Sequence, residues 1–378
     1  MTAPDGAAVL DRLLPALAAA LDGAGPALLP LPSGGTRAAV LKALDPGRPL
    51  ERDDVALVVP TSGSTGEPKG VLLSAAALQH SARATHDRLG GAGRWLLALP
   101  VTHIAGLTVL VRSLVARTRP EVLDLYGGFS VDAFEAATDR LASGDRRYTA
   151  LVPTQLHRLL EARADLSAYD AVLVGGAALP PALHRRALSA GVRLVTTYGM
   201  SETCGGCVYD GIPLDGAAAR VRDDGRVELG GATVFAGYRL RPDLTAEALV
   251  DGWHVTQDLG RWDADGRLQV LGRADDVVVS GGVNVPAAMV ERVLGDHPAV
   301  VAVAVVGRAD PEWGERVVAV VQPRDWADLP TLEDLREGAR DALEAAALPR
   351  QLVLLGQLPL LASGKPDKAA VRMILADP

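Results

Sequence analysis

The chain has 378 residues, 48% hydrophobic and 22% charged, with a formal net charge of −8. That length and composition fit a globular protein with room for two domains and a large core. The acidic balance argues against a nucleic-acid or anionic-membrane surface, although it says nothing about a local anion site.

Residues 7–22 place Leu10, Leu13, Leu14, Leu17 and Leu21 at helical spacing, with acidic residues and one Arg between them and no basic segment in front. This predicts an amphipathic helix rather than a signal peptide. The longest uncharged stretch, 95–111, contains Pro100, Thr102 and His103. A buried strand, loop and helix fit it better than a membrane span. Short β-rich runs at 55–59, 95–99, 148–152, 171–174 and 193–197 alternate with helical stretches at 75–89, 106–116, 131–143, 154–164 and 180–190. The alternation predicts an α/β domain with helices packed on a largely parallel sheet. Ligand loops then belong at the carboxyl ends of strands. The stretch after Val59, His103 after Leu99, Gly175-Gly176 after Val174 and Tyr198 after Thr197 all meet that condition. From 220 to 270, Asp-Gly turn signals alternate with short strands, which reads as a small β subdomain. A compact α+β unit follows Gly272, with helices expected at 286–294 and 332–346, strands at 300–306 and 317–322, and a final loop and helix. The boundary is expected at 273–276.

Residues 59–70 read Val-Pro-Thr-Ser-Gly-Ser-Thr-Gly-Glu-Pro-Lys-Gly. A flexible loop rich in backbone N–H groups and hydroxyls, with one cation, can wrap the phosphates of a nucleotide. It is not a Walker A loop, because Pro68 falls five residues after Gly63 and no Gly-Lys-Ser/Thr follows. Lysine is scarce: only Lys42, Lys69, Lys365 and Lys368 among 38 basic residues, the last three in two glycine-containing segments. In an arginine-rich chain a lysine suggests a need for a compact, flexible point charge. The two cysteines, Cys204 and Cys207, have C-x-x-C spacing but no second pair, and read as small buried residues in a reducing compartment.

The 61–70 string resembles the phosphate loop of the adenylate-forming superfamily, which contains acyl- and aryl-CoA ligases, luciferases and nonribosomal adenylation domains. Three further motifs follow in the superfamily's order: Tyr198-Gly199-Met200-Ser201-Glu202-Thr203; Gly272-Arg273-Ala274-Asp275-Asp276 with Ser280-Gly281-Gly282; and Ser363-Gly364-Lys365-Pro366-Asp367-Lys368. The resemblance implies an α/β fold. A large N-terminal domain (1–272) has mostly parallel sheets with helices plus the small β subdomain (220–270). A small mobile α+β C-terminal domain (273–378) carries the catalytic lysine.

It also implies roles for single residues. Thr61, Ser62, Gly63, Ser64, Thr65, Gly66 and Lys69 would hold the β- and γ-phosphates of ATP. Glu202 would bind Mg²⁺. Gly175, Gly176, Ala177, Thr197, Tyr198, Gly199, Met200 and Ser201 would line the adenosine pocket. Asp258 would take the ribose hydroxyls, with Gln257 where most relatives have Gly. Arg273 would face the ribose or α-phosphate. Lys365 would be the principal catalytic residue, bridging the substrate carboxylate and the α-phosphate. His103 would gate the acyl pocket. Asp275 would be the hinge, and Ser280, Gly281 and Gly282 would face the site when CoA enters.

Residues 198–211 are most similar to the o-succinylbenzoate–CoA ligases of menaquinone biosynthesis, in a short actinobacterial-like form. The phosphate-loop motif stands already at 59–70, so part of the usual N-terminal subdomain is expected to be missing. Another aryl- or acyl-CoA ligase, or a stand-alone adenylation domain loading a carrier protein, stays open as an alternative. The reading implies a cytoplasmic enzyme with ATP, Mg²⁺ and CoA as cofactor and co-substrates, a small carboxylate as substrate, no nucleic-acid partner, no membrane insertion, and compatibility with a homodimer. Arg112 stands in an otherwise apolar helix with no acidic residue nearby in sequence. A buried guanidinium needs an anion. Either a second substrate carboxylate supplies it, or Arg112 snorkels to the surface or pairs with a distant acid such as Asp124.

Overall fold

The computed structural model describes residues 6, 8–32, 34–62, 67–141, 144–360 and 366–376. Its main sheet has seven strands, in spatial order 121–122, 94–97, 147–151, 171–174, 194–200, 205–209 and 212–213. The first five run parallel, and the last two are antiparallel additions. Strands buried on both faces need continuous apolar runs, and Ala171–Val174 is buried throughout. Helices Ala75–Arg88 and Ile104–Val115 pack against each other in the core that holds Leu57, Trp95, Leu107 and Tyr148, and helices Val131–Arg140, Pro153–Glu161 and Pro181–Ser189 lie over a second apolar cluster. The expected mixed α/β architecture is present.

Three expectations need correction here. The phosphate-loop segment does not follow a strand of the parallel sheet. Val55–Ser62 and Pro68–Ser74 form an antiparallel hairpin in a separate three-stranded sheet completed by Gly237–Tyr238. Tyr198 does not follow its strand either, because Leu194–Met200 continues past it to pair with Gly205–Tyr209. The N-terminal helix is also not uniform. A wide turn over Val9–Leu13 precedes the α-helix Leu14–Leu21, and Pro15, which lacks an N–H, removes a bond a continuous α-helix would need.

Strands Ala217–Val221, Arg226–Gly231, Leu249–Val250, Trp253–Trp262 and Leu268–Arg273 make a five-stranded antiparallel sheet. Asp251 and Gly252 both have positive φ in the turn that joins two of these strands, the geometry a tight hairpin requires. The chain changes sheet at the short 3₁₀ turn Ala274–Asp276. Strands Val277–Ser280, Val283–Pro286, Val300–Asp310, Gly314–Pro323 and Gln351–Leu354 then form a last sheet. Helices Ala287–Leu294 and Leu332–Ala339 share a core with it around Val290, Val305, Ala319 and Leu335. The helix expected at 332–346 stops at Ala339, and Leu343, Ala347 and Leu348 enter the same core from turns. Among the described residues no helix is long and apolar enough to cross a membrane.

Candidate active site

The phosphate hairpin is held by backbone and by one arginine. Gly237 and Tyr238 pair with Leu72 and Val71, and the Arg239 N–H donates to Gly70 O at 2.8 Å. The Arg239 side chain is buried and donates to the carbonyls of Leu44, Asp45, Arg48 and Pro49 and to Glu51, so it gathers the 44–51 loop behind the hairpin. A Cβ on Gly70 would stand 2.8 Å from Leu44 Cδ2, so glycine lets the strand lie this close. Residues Gly63, Ser64, Thr65 and Gly66 lie outside the described residues, as does the side chain of Ser62. Thr61 and Lys69 face each other across the hairpin, with Thr61 Oγ1 3.5 Å from Lys69 O.

Lys69 Nζ lies 4.9 Å from the centroid of the Tyr238 ring. The Tyr238 hydroxyl donates to Glu202 Oε1 at 2.8 Å. Phe235 packs edge-on against Tyr238 with centroids 4.9 Å apart, and its N–H donates to Glu202 O at 2.8 Å. Burial, and then the Glu202 charge, push the Tyr238 hydroxyl pKa up, so it stays a donor. Lys69 and Glu202, predicted as site residues, are thus brought together, and Tyr238 joins them. Sequence reasoning missed Tyr238. Its available signal was an aromatic after glycine in Phe-Ala-Gly-Tyr, too common to single out. His254 was also missed. It is buried edge-on to Phe235 at 5.2 Å with Nδ1 3.1 Å from Ala248 O. Burial lowers its pKa against the opposing pull of Glu202.

Among the described residues no three His, Cys, Asp or Glu side chains gather as a metal site. Glu202 supplies one carboxylate, which suits a magnesium ion that takes its other ligands from phosphate oxygens and water.

A second cluster surrounds Tyr198. Its hydroxyl donates to Asp258 Oδ2 at 2.7 Å, and Arg273 Nη1 stands 3.8 Å from Asp258 Oδ1. Burial, and then Asp258, push the Tyr198 pKa up. Asp258 and Arg273 are cross-strand partners, and the Asp258 N–H donates to Thr256 Oγ1, which fixes the carboxylate despite Gln257. Arg273 also donates to both oxygens of Asp275 at 2.8 Å, which holds that carboxyl below its ordinary range. Gly175 leaves strand Ala171–Val174 beside Thr197, where a Cβ would stand 2.2 Å from Thr197 Oγ1. Gly176 and Ala177 are exposed, and Gly199, Met200 and Ser201 turn the chain toward Glu202.

His103 is exposed at the N-cap of helix Ile104–Val115. The helix sits tightly on Leu99 and Pro100, since a Cβ on Gly106 would meet Pro100 O at 2.3 Å. Ile104 and Thr108 lie against Gly205, so this helix start adjoins the 198–205 segment. Arg112 is 4% exposed. Its Nη2 donates to Tyr209 OH at 3.2 Å, its guanidinium carbon lies 5.0 Å from the Trp95 ring centroid, and Nε has no partner. Tyr209 OH is in turn 3.0 Å from Thr85 Oγ1. Burial, and then Arg112, lower the neighbouring His86 to about 4, so it is neutral at pH 7. Arg112 makes no ion pair with any described carboxylate. Arg112 therefore does not snorkel to the surface, and no ion pair joins it to Asp124.

Cys204 and Cys207 are buried free thiols. Burial raises both pKa values, that of Cys207 to about 11, which leaves them protonated and unreactive. Ser280 is buried within its own sheet, while residues 281–284 are exposed. Gly281, at φ +59°, donates to Trp313 O at 2.8 Å and lies under the Trp313 ring. Lys365 lies outside the described residues. Lys368 pairs with Asp276, and with Glu291 at 2.8 Å. It therefore ties the last helix, Lys368–Ala376, to the 274–276 turn.

The family described as AMP-binding enzyme matches residues 9–238, and that described as AMP-binding enzyme C-terminal domain matches residues 289–365. A probable 2-succinylbenzoate–CoA ligase of Mycobacterium tuberculosis is 50% identical over 95% of this chain and 94% of its own length. The o-succinylbenzoate CoA synthetase (MenE) of Bacillus subtilis, solved in complex with the acyl-adenylate intermediate OSB-AMP, matches with a TM-score of 0.74 at 29% identity, over 87% of this chain and 70% of that one. The same enzyme in complex with ATP and magnesium ion matches with a TM-score of 0.73 at 28% identity, over 85% and 71%. The chain belongs to the AMP-binding enzyme family.

Proposed function

We propose that this protein is an AMP-forming carboxylate–CoA ligase that acts on 2-succinylbenzoate in menaquinone biosynthesis, in the cytoplasm. The carboxylate attacks the α-phosphorus of ATP and releases diphosphate, and the thiol of CoA then attacks the acyl carbon and releases AMP. In the first step an anion approaches an anion, so positioned cations and dipoles must carry the catalysis. Lys69 and the 61–66 segment hold the β- and γ-phosphates. Glu202, oriented by Tyr238, binds Mg²⁺, whose charge offsets that of the phosphates. Asp258, oriented by Tyr198, accepts from the ribose hydroxyls, and Gly175–Ser201 lines the adenine. Lys365 stabilises the charge at the α-phosphate. The chain divides near Asp275 into a large domain and a mobile one, and rotation there brings Ser280, Gly281 and Gly282 to the site for the CoA step. Homodimerisation is compatible with this reading.

The observation that carries the choice of substrate is Arg112, a cation among π faces and neutral groups with a free Nε and no described carboxylate. 2-Succinylbenzoate has a ring carboxylate besides the one activated, and a guanidinium pairs with it bidentately. The test compares KM for Arg112→Ala with 2-succinylbenzoate and with an analogue that lacks the ring carboxylate. A charged hydrogen bond of about 1.5–3 kcal/mol corresponds to a KM increase of about tenfold or more for the dicarboxylate alone. Equal effects on both substrates would remove Arg112 from the site and the substrate assignment with it.

A further inference from the structure

Helix Pro181–Ser189 starts without a cap of its own, because its N-cap position is Pro180 and no side chain there accepts from its first turn. The acceptor arrives from much later in the chain. Asp296, in the turn after helix Ala287–Leu294, accepts from the Ala182 N–H at 2.9 Å through one oxygen and from Arg185 Nη1 at 3.3 Å through the other. A carboxylate at this place satisfies an orphan donor and meets the positive end of the helix dipole. The capped helix follows the Gly175-Gly176-Ala177 loop, whereas Asp296 belongs to the unit beyond the 274–276 turn. The contact therefore bridges the two parts of the chain. Burial, and then the Arg261 charge, lower the pKa of Arg292 in helix Ala287–Leu294, while Asp296 opposes. In this arrangement residues 281–284 point to solvent.

We propose that Asp296 is a positioning residue: it caps helix Pro181–Ser189 across the joint and holds the C-terminal unit in the arrangement that serves adenylate formation, and the contact breaks before CoA is used. The inference rests on the two-step reading above. A contact made in only one arrangement shifts the balance by no more than its own free energy. The ion pair contributes little, because the Arg185 side chain is 64% exposed. The helix cap is the larger part, and its loss corresponds to a population change of about fivefold.

The test separates the half-reactions. Adenylate formation is followed by carboxylate-dependent exchange of labelled diphosphate into ATP, and thioester formation by mixing presynthesised acyl-adenylate with CoA. Asp296→Ala is expected to slow the first by at most about fivefold and to leave the second unchanged or faster, while Asp296→Asn, which keeps a cap acceptor, retains most of the first. A second readout needs no substrate. Spin labels on Ser189→Cys and Asp325→Cys, both exposed positions, report the distance between the two units, and Asp296→Ala should broaden a narrow distribution. Equal slowing of both half-reactions, or an unchanged distance distribution, would overturn the proposal. If the unsubstituted enzyme ignores 2-succinylbenzoate, the substrate assignment fails, yet the label distances still decide the role of Asp296.

Discussion

Tyr238→Phe isolates a single hydroxyl. The phenyl ring keeps its place under Lys69 Nζ and against Phe235, so packing and the cation–π contact survive. What is lost is the 2.8 Å hydrogen bond to Glu202 Oε1. A hydrogen bond to a charged acceptor contributes about 1.5–3 kcal/mol. If Glu202 binds Mg²⁺ with the nucleotide, the bond acts by aiming the carboxylate, and loss of such an outer partner typically lowers metal affinity about 10- to 100-fold. The expected result is a KM for MgATP raised by about tenfold or more. The KM for the carboxylate substrate should change little, because Arg112 and His103 belong to helix Ile104–Val115 and its N-cap, not to the strands and 3₁₀ turn that carry Lys69, Tyr238 and Glu202. The assay is initial-rate AMP release with MgATP varied at saturating carboxylate, repeated with the carboxylate varied. Raised free Mg²⁺ should recover part of the loss. An unchanged KM for MgATP, or a larger effect on the carboxylate KM, would refute the placement of Glu202 at the metal.

Lys368→Met should cut the tie between the last helix and the 274–276 turn while keeping the length of the side chain. It leaves Asp276 and Glu291 facing each other, and Glu291 is already pushed toward its neutral form by burial, with Lys368 opposing. Removing one partner of a part-buried pair costs about 1–3 kcal/mol, so thermal unfolding should shift down and Lys368→Arg should recover less than a conservative exchange suggests; an unchanged Tm would show that the cluster is solvated. His86 gives a pH signature. Its folded pKa, about 4, lies below the ordinary 6.5, so the unfolded chain takes up a proton first as pH falls, and stability declines between about 6.5 and about 4. The ceiling is about 3 kcal/mol, reduced by whatever solvent reaches the ring. His86→Gln should flatten that segment of the stability–pH curve, and an equal slope in both proteins would place the titration elsewhere.

The parts of the fold legible in the sequence were those with strong local patterns. Short uniform apolar runs such as Ala171–Val174, set between helical stretches, fit buried strands, and that strand has the expected limits. The phosphate hairpin was misplaced for a physical reason. Its third strand, Gly237–Tyr238, is two residues long and remote in sequence, so nothing local announces that Val55–Ser62 pairs outside the parallel sheet. The helix expected to reach residue 346 failed similarly, because Leu343 keeps helical spacing while the backbone leaves the helix after Ala339.

Lysine usage shows why the candidate site was only partly legible. The scarcity of lysine singled out Lys69 and Lys368 alike, but composition cannot separate two different needs. Lys69 lies over the ring of Tyr238, whose hydroxyl donates to Glu202, and among the described residues it makes no ion pair. Lys368 is committed to Asp276 and Glu291. The same logic applies to the arginines. Arg239 and Arg112 are both almost fully buried, yet Arg239 spends its donors on four carbonyls and Glu51. Arg112 has one tyrosine, one indole face and an unpartnered Nε. A buried cation with its donors filled is architecture, and one with donors left over points to a ligand. Sequence identifies the cation, but only three-dimensional neighbours tell which kind it is, and on that difference the substrate proposal depends.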